Sequence, residues 1–228
     1  MAQQLILDLL PPPPPTLENF VVGRNAPALD ALRHCEPGRA VYLWGPQGVG
    51  RTHLLRGLCQ RSGGLYHPPH APASRLHGLA TGEAIETPII AVDDVQALDA
   101  QGQAALFALY NRWRESAATR AAFALALAGD RAPLNMEVRE DLRTRLGWDL
   151  VFRLEQLTDD ERAQALRRRA AERGLELSSE VIAWLLTHHE RDMSRLTALV
   201  DALDRYSLAR HRPITLPLLK DLLASHQP

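Results

Sequence analysis

The sequence holds little cysteine, almost no lysine, no net charge of consequence and no long apolar run. Each scarcity excludes something. Cys35 and Cys59 are the two cysteines in 228 residues, too few for a disulfide framework. The formal charge is −1, so no global basic field draws the whole chain to nucleic acid or to an anionic membrane. The longest apolar stretch, Ala121–Ala128, falls far short of the roughly 20 residues that span a bilayer. No basic residue precedes Arg24, so the charged start of a signal peptide is missing. At 46% hydrophobic and 23% charged the composition is that of a globular chain and excludes wholesale disorder. The expectation is a soluble, reduced, cytoplasmic α/β protein with no membrane partner. Lys220 is the only lysine, leaving 25 of the 26 basic residues as arginine.

Three regions follow from pattern and composition. Residues 1–15 join an apolar-rich peptide to five consecutive prolines, Pro11–Pro15; such a run forms a stiff polyproline II spacer. In residues 16–154 short apolar runs alternate with helical periodicity. Val41–Trp44, Ile89–Val92, Phe123–Leu127 and Leu150–Leu154 read as strands. Helices are expected from about Thr52 and over 101–116, so the sheet should be mostly parallel with crossover helices. The stretch from Ser62 to Pro88, with its prolines and histidines, is expected to be irregular. Residues 155–228 carry only helical signals and read as a small all-α lobe. Thr158 and Glu161 form a capping-box pair, Ser178 or Ser179 caps a second helix, and Thr215 caps a last one.

The chemistry begins at Gly45-Pro46-Gln47-Gly48-Val49-Gly50-Arg51-Thr52. It fits the phosphate-loop pattern GxxxxGK[ST] at every fixed position except the lysine. Glycines let the backbone fold tightly around phosphates, the following helix adds a positive dipole, and the Thr52 hydroxyl suits Mg²⁺. Arg51 keeps the charge but exchanges a compact ammonium for a planar fork. Binding of ADP or ATP is therefore safer than fast turnover. Ile89–Val92 ends in Asp93 and Asp94, the arrangement of a Walker B strand. Asp93 would position the Mg²⁺ shell and Asp94 would orient or activate water.

Together these residues resemble the AAA+ family, and within it the DnaA-type initiator branch, over residues 16–228. Asn19-Phe-Val-Val-Gly23 resembles the opening of that nucleotide-binding domain, and Val92-Asp93-Asp94-Val95-Gln96 its Walker B block. Gly129-Asp130-Arg131-Ala-Pro133 resembles sensor 1, which implies Asp130 as the sensor. Leu142–Trp148 resembles the arginine-finger block, which implies Arg145 as a finger acting in trans. Sensor 2 is displaced: the family's arginine follows a small Asp/Asn-apolar pair, whereas Asp192-Met193 is followed by Ser194 and then Arg195. One residue turns a helical side chain by about 100°. The resemblance implies an AAA+ P-loop core with a helical lid. Initiators of this branch continue into a DNA-reading domain; with the sequence ending at Pro228, DNA is expected to be met only through a partner.

Gln4-Leu5-Ile6-Leu7-Asp8-Leu9 resembles the Gln-Leu-x-Leu-x-Leu peptide that binds the bacterial DNA sliding clamp. Gln4 would set the orientation while Leu5, Leu7 and Leu9 provide burial. A clamp-binding peptide, a spacer and a DnaA-like body together resemble the Hda family, the DnaA-homologous regulatory inactivators of replication initiation. That resemblance implies preference for ADP, little or no intrinsic ATPase, and stimulated ATP hydrolysis on a DnaA-type initiator. A homodimer is left open. The rival expectations are a helicase-loader or transposition-helper ATPase on the same core, and a scaffold with a decayed phosphate loop.

Other residues carry less. His67, His70 and His77 have few cysteine or carboxylate ligands nearby in sequence and are not expected to bind metal. His188-His189 and Arg167-Arg168-Arg169 read as solvated helix faces, and Trp44, Trp113 and Trp184 as packing.

Overall fold

Alternation along the strands fixes which side each residue covers. On β1 (Ala40–Trp44), Val41 and Leu43 enter one apolar cluster, and Ala40 and Tyr42 the other. β3 (Ile89–Val92) and β4 (Ala124–Gly129) split the same way. On β4 the split is by size: Ala124, Ala126 and Ala128 face one layer, Leu125 and Leu127 the opposite one. Successive side chains on a strand point to opposite faces, so each of these strands is buried on both sides. The computed structural model describes residues 13–82, 85–188 and 192–224. It divides into two compact units, residues 15–156 and a second unit that includes residues 157–228.

The first unit carries a five-stranded sheet in the order β2-β3-β4-β1-β5, with β2 spanning Leu65–His67 and β5 Leu150–Arg153. Every recorded pairing is parallel. Parallel neighbours demand crossover connections, and these are helical. α1 (Ala26–Arg33) precedes β1, and α2 (Arg51–Ser62) follows it. α3 (Ala73–Thr81) leads into β3, α4 (Ala100–Ser116) into β4 and α5 (Glu140–Arg145) towards β5. Leu54, Leu55 and Leu58 of α2 pack on the alanine side of β4. Leu106, Leu109 and Trp113 of α4 cover the leucine side.

The stretch 62–88 is not irregular. It holds β2 and α3, and the reason lies in partners rather than local propensity. β2 is an edge strand three residues long, set by pairing Leu65, Tyr66 and His67 with Ile90, Ala91 and Val92. α3 begins directly after Pro72 and anchors through the fully buried Leu76. Proline is tolerated at a helix start because the first N–H groups have no intrahelical partner.

In the second unit α6 (Asp159–Ala171) opens with the capping box. Thr158 Oγ1 accepts the Glu161 N–H at 3.2 Å, and the Glu161 carboxylate accepts the Thr158 N–H at 2.7 Å. Gly174 ends that turn with φ 71°. α7 (Ser179–His188), α8 (Met193–Arg210) and α9 (Leu216–Ala224) complete the lobe around Leu166, Leu185, Leu199 and Leu219. Ser178 Oγ accepts the Val181 N–H at 3.3 Å and Thr215 Oγ1 the Leu218 N–H at 3.4 Å, capping α7 and α9. Arg169 is half-buried and pairs with Asp201 at 3.0 Å, so only its neighbours Arg167 and Arg168 are exposed.

Candidate nucleotide site and arginine finger

The loop Gly45–Gly50 runs from the end of β1 into α2. Gly48 and Gly50 adopt φ 82° and 95°, left-handed conformations that glycine takes without steric cost. A Cβ at Gly48 would meet nothing within 4 Å, so the outer turn of the loop is open. A Cβ at Gly50 would lie 2.6 Å from the Phe20 ring. Phe20 therefore braces the loop from the segment 16–23, and His53 Nε2 is 2.9 Å from the Thr16 carbonyl. Pro46 and Gln47 are exposed, whereas Val49 is buried beneath the loop.

In a parallel sheet the ends of all strands share one edge, where ligands bind in open α/β folds. Asp93 and Asp94 follow β3 there, beside the loop after β1. Asp93 is fully buried. Its Oδ2 accepts the hydroxyls of Thr52 at 2.6 Å and Tyr66 at 2.7 Å, and its Oδ1 accepts the Asp94 N–H at 3.0 Å. Burial first, then the bond to Asp93, push the Tyr66 phenol well above its usual range, so this hydroxyl is a donor. Thr52 is exposed on its outer side. An open glycine loop, an exposed threonine hydroxyl and a buried carboxylate in contact fit a nucleotide phosphate with a divalent cation. Thr52 and Asp93 would hold the cation, and it would supply charge neutralisation on the phosphates.

Asp94 is engaged otherwise. It sits at φ 45°, ψ 60°, and its Oδ1 takes the Arg51 guanidinium at 3.0 Å and the Gln96 amide at 3.0 Å. Arg51 also donates to the Gly45 carbonyl at 2.9 Å, and its side chain is only 10% exposed. The residue in the lysine position thus spans from the loop to the Walker B strand. Gln96 continues the link, since its Oε1 accepts the Asp130 N–H at 3.2 Å. The Asp130 carboxylate is taken by its neighbour, with Arg131 Nε and Nη2 at 3.0 and 2.9 Å.

Arg145 ends α5. Its guanidinium donates to Asn111 Oδ1 and lies 4.1 Å from the Phe107 ring centre and 4.6 Å from that of Trp148. Among the described residues its side chain contacts α4 and the turn before β5, and not the phosphate loop, Asp93 or Asp94. It has no carboxylate partner among the described residues. A guanidinium between two rings and an amide is held in orientation while keeping its charge uncompensated.

The fold is similar to that of domain III of the Thermotoga maritima replication initiation protein DnaA. The TM-score is 0.67 at 24% identity, covering 94% of this chain and 98% of that one. AMPPCP-bound DnaA from Aquifex aeolicus matches at TM-score 0.64 and 23% identity, over 83% of this chain and 64% of that one. A point mutant of Thermotoga maritima RuvB matches at TM-score 0.65 and 16% identity, over 93% of this chain and 72% of that one. These likenesses show an AAA+ fold. Residues 159–223 match the family model of the Hda lid domain. This chain is thus similar to the Hda family over its lid and to DnaA domain III in fold.

The structure brings Gly45–Thr52, Asp93, Asp94 and Asp130 to one sheet edge. Arg195 lies in the first turn of α8, where Asp192 caps the helix by accepting the Ser194 and Arg195 N–H groups at 2.8 and 3.2 Å. Gln4, Leu5, Leu7 and Leu9 lie outside the described residues. Sequence reasoning missed Tyr66, Phe107 and Asn111, and quoted Gln96 only as part of the Walker B block. Tyr66 hid in the stretch read as irregular, although Leu65-Tyr66-His67 before two prolines was a short strand signal. Among the described residues no group of three metal-ligating side chains forms, and no helix is long and apolar enough to cross a membrane.

Proposed function

We propose that this protein is a negative regulator of DNA replication initiation. Its Gln4–Leu9 peptide binds the DNA-loaded sliding clamp, and the protein promotes hydrolysis of ATP carried by a DnaA-type initiator. Arg145 is the finger supplied in trans. A guanidinium delivered to a transferring phosphoryl group neutralises charge as it spreads over the equatorial oxygens, and accelerates hydrolysis about 10³- to 10⁵-fold in analogous systems. The observation that carries this reading is the division of the two arginines. Arg51 is committed to Asp94 and Gly45 inside the chain's own site. Arg145 is pre-oriented by Asn111, Phe107 and Trp148 with its charge free for an external anion.

Gly45–Thr52 holds ADP, with Thr52 and Asp93 as the cation position and Asp130 and Arg195 as sensors. Asp94 oriented by Arg51 is a poor activator of water, so intrinsic turnover is weak. The protein acts in the cytoplasm and meets DNA through the clamp. The test is hydrolysis of initiator-bound ATP in the presence of clamp loaded on DNA. The full chain should stimulate it, and deletion of residues 1–10 should abolish the stimulation. If neither protein stimulates while the full chain hydrolyses ATP by itself, a helper ATPase replaces this reading.

A further inference from the structure

Both lone-pair directions of Asp93 Oδ2 are taken by protein donors, whereas Oδ1 accepts only the Asp94 N–H. Its Oδ2 receives two hydroxyl hydrogens, from Thr52 at 2.6 Å and Tyr66 at 2.7 Å. These two bonds differ in what they leave free. Thr52 donates its hydrogen and keeps its lone pairs outward, so its bond is compatible with a cation on the threonine oxygen. Tyr66 uses the second lone-pair direction of the same oxygen, through which Asp93 would hold a cation or a cation-bound water. The tyrosine is fixed from two sides. β2 places it opposite Ala91 in register with the Walker B strand, and the Arg56 guanidinium lies 5.0 Å from its ring centre.

We propose that Tyr66 guards the cation position of the phosphate-loop site and makes nucleoside diphosphate binding by this chain nearly independent of Mg²⁺. The inference rests on the reading of Gly45–Thr52 as a nucleotide site. Admitting a hydrated cation at Asp93 Oδ2 requires breaking the phenol–carboxylate bond and leaving the hydrogen of a half-buried hydroxyl without its acceptor, which opposes the gain from the metal. The diphosphate is then held by loop N–H groups, the α2 terminus and the charge of Arg51.

Calorimetric titration of the full chain with ADP, in EDTA and in Mg²⁺, tests this with wild type, Tyr66→Phe and Arg56→Gln. Wild type should show less than about a twofold difference in Kd between the two buffers. Tyr66→Phe should bind ADP in EDTA like wild type but about tenfold more tightly in Mg²⁺, the scale of one hydrogen bond to a charged group. Arg56→Gln, which removes the ring contact and the Arg56 bond to the phenol without touching the carboxylate, should show a smaller gain of the same sign and keeps the test open if the phenylalanine variant does not fold. A tenfold Mg²⁺ effect in wild type overturns the guard, as does an unchanged Mg²⁺ effect in the folded variants. Absence of ADP binding by wild type in both buffers instead removes the nucleotide site itself.

Discussion

Arg51 holds Asp94: Nη2 of the arginine stands 3.0 Å from Oδ1 of the aspartate. The pair joins the phosphate loop to the Walker B strand, with the arginine side chain 10% and the aspartate side chain 27% exposed. A phosphate bound in the loop would compete with Asp94 for this one guanidinium. A lysine, with a single ammonium, would not satisfy the Gly45 carbonyl and Asp94 in the same forked geometry. Arg51→Lys should raise intrinsic ATP turnover by roughly tenfold as Asp94 is released, the scale of one charge-assisted hydrogen bond. Phosphate release by the isolated protein measures it, and unchanged turnover would remove the inhibitory role of the pair.

Arg145→Ala should leave thermal stability nearly unchanged and reduce stimulated hydrolysis on the initiator by about 10³-fold or more. Trp148→Ala removes one of the two rings flanking the guanidinium while Phe107 remains at 4.1 Å. It should reduce stimulation by only about two- to fivefold, in line with the modest worth of an exposed cation–π contact. Equal losses in the two variants would mean that Trp148 does more than orient the finger.

The two left-handed glycines of the loop predict different costs. Gly48→Ala carries only the conformational penalty of about 1–2 kcal/mol, because the space around it is open. Gly50→Ala adds a clash with the Phe20 ring at 2.6 Å, and overpacking typically costs about 1–3 kcal/mol more. Chemical denaturation should rank them in that order, and Phe20→Ala should recover only the clash component of the second.

Asp149 accepts a forked pair of bonds from Arg39 at 2.9 and 2.8 Å, and the Ala40 N–H at 2.8 Å. Burial alone would raise its pKa; the Arg39 bonds and the backbone N–H outweigh it and hold the carboxyl below its usual range. A depressed carboxyl stabilises the fold above its unfolded pKa of about 3.9. That contribution is lost as pH falls through the folded value, where the native state finally takes up the proton. Asp149→Asn should lower stability at pH 7 and flatten the acid limb of a denaturation profile, and an unaltered limb would assign acid unfolding to other groups.

Burial pushes the Cys59 thiol up to about 11, and burial with the nearby Asp149 charge does the same for Cys35. Both thiols stay protonated at pH 8, so alkylation by iodoacetamide should be slow in the native protein and fast once it is unfolded. Rapid native labelling at Cys59, 7% exposed, would show that α2 opens locally.

Where the sequence was legible, the signal was local. Val41–Trp44 followed by three spaced glycines names a strand, a phosphate loop and a helix, because each residue's backbone preference is expressed within a few positions. Thr158 and Glu161 named a helix start for the same reason: the capping bonds close within one turn. β2 and α3 were not legible, since Leu65–His67 is a strand through its pairing with β3 and α3 is seated by Leu76. Proline and histidine content spoke against both, and long-range contact overrode it.

Consecutive residues alone carry a phosphate-loop pattern with Arg51 in the lysine position and place Asp93 and Asp94 at the end of an apolar strand. They do so because glycine spacing and apolar runs are local properties of the chain. Only the tertiary structure decided what those groups do to one another. Arg51 reaches Asp94 across 43 positions of chain, Thr52 reaches Asp93 across 41 and Tyr66 reaches it across 27. Such bonds exist because parallel strands end at a common edge, and the order in which strands lie side by side is set by burial of both sheet faces, which no short stretch of sequence encodes.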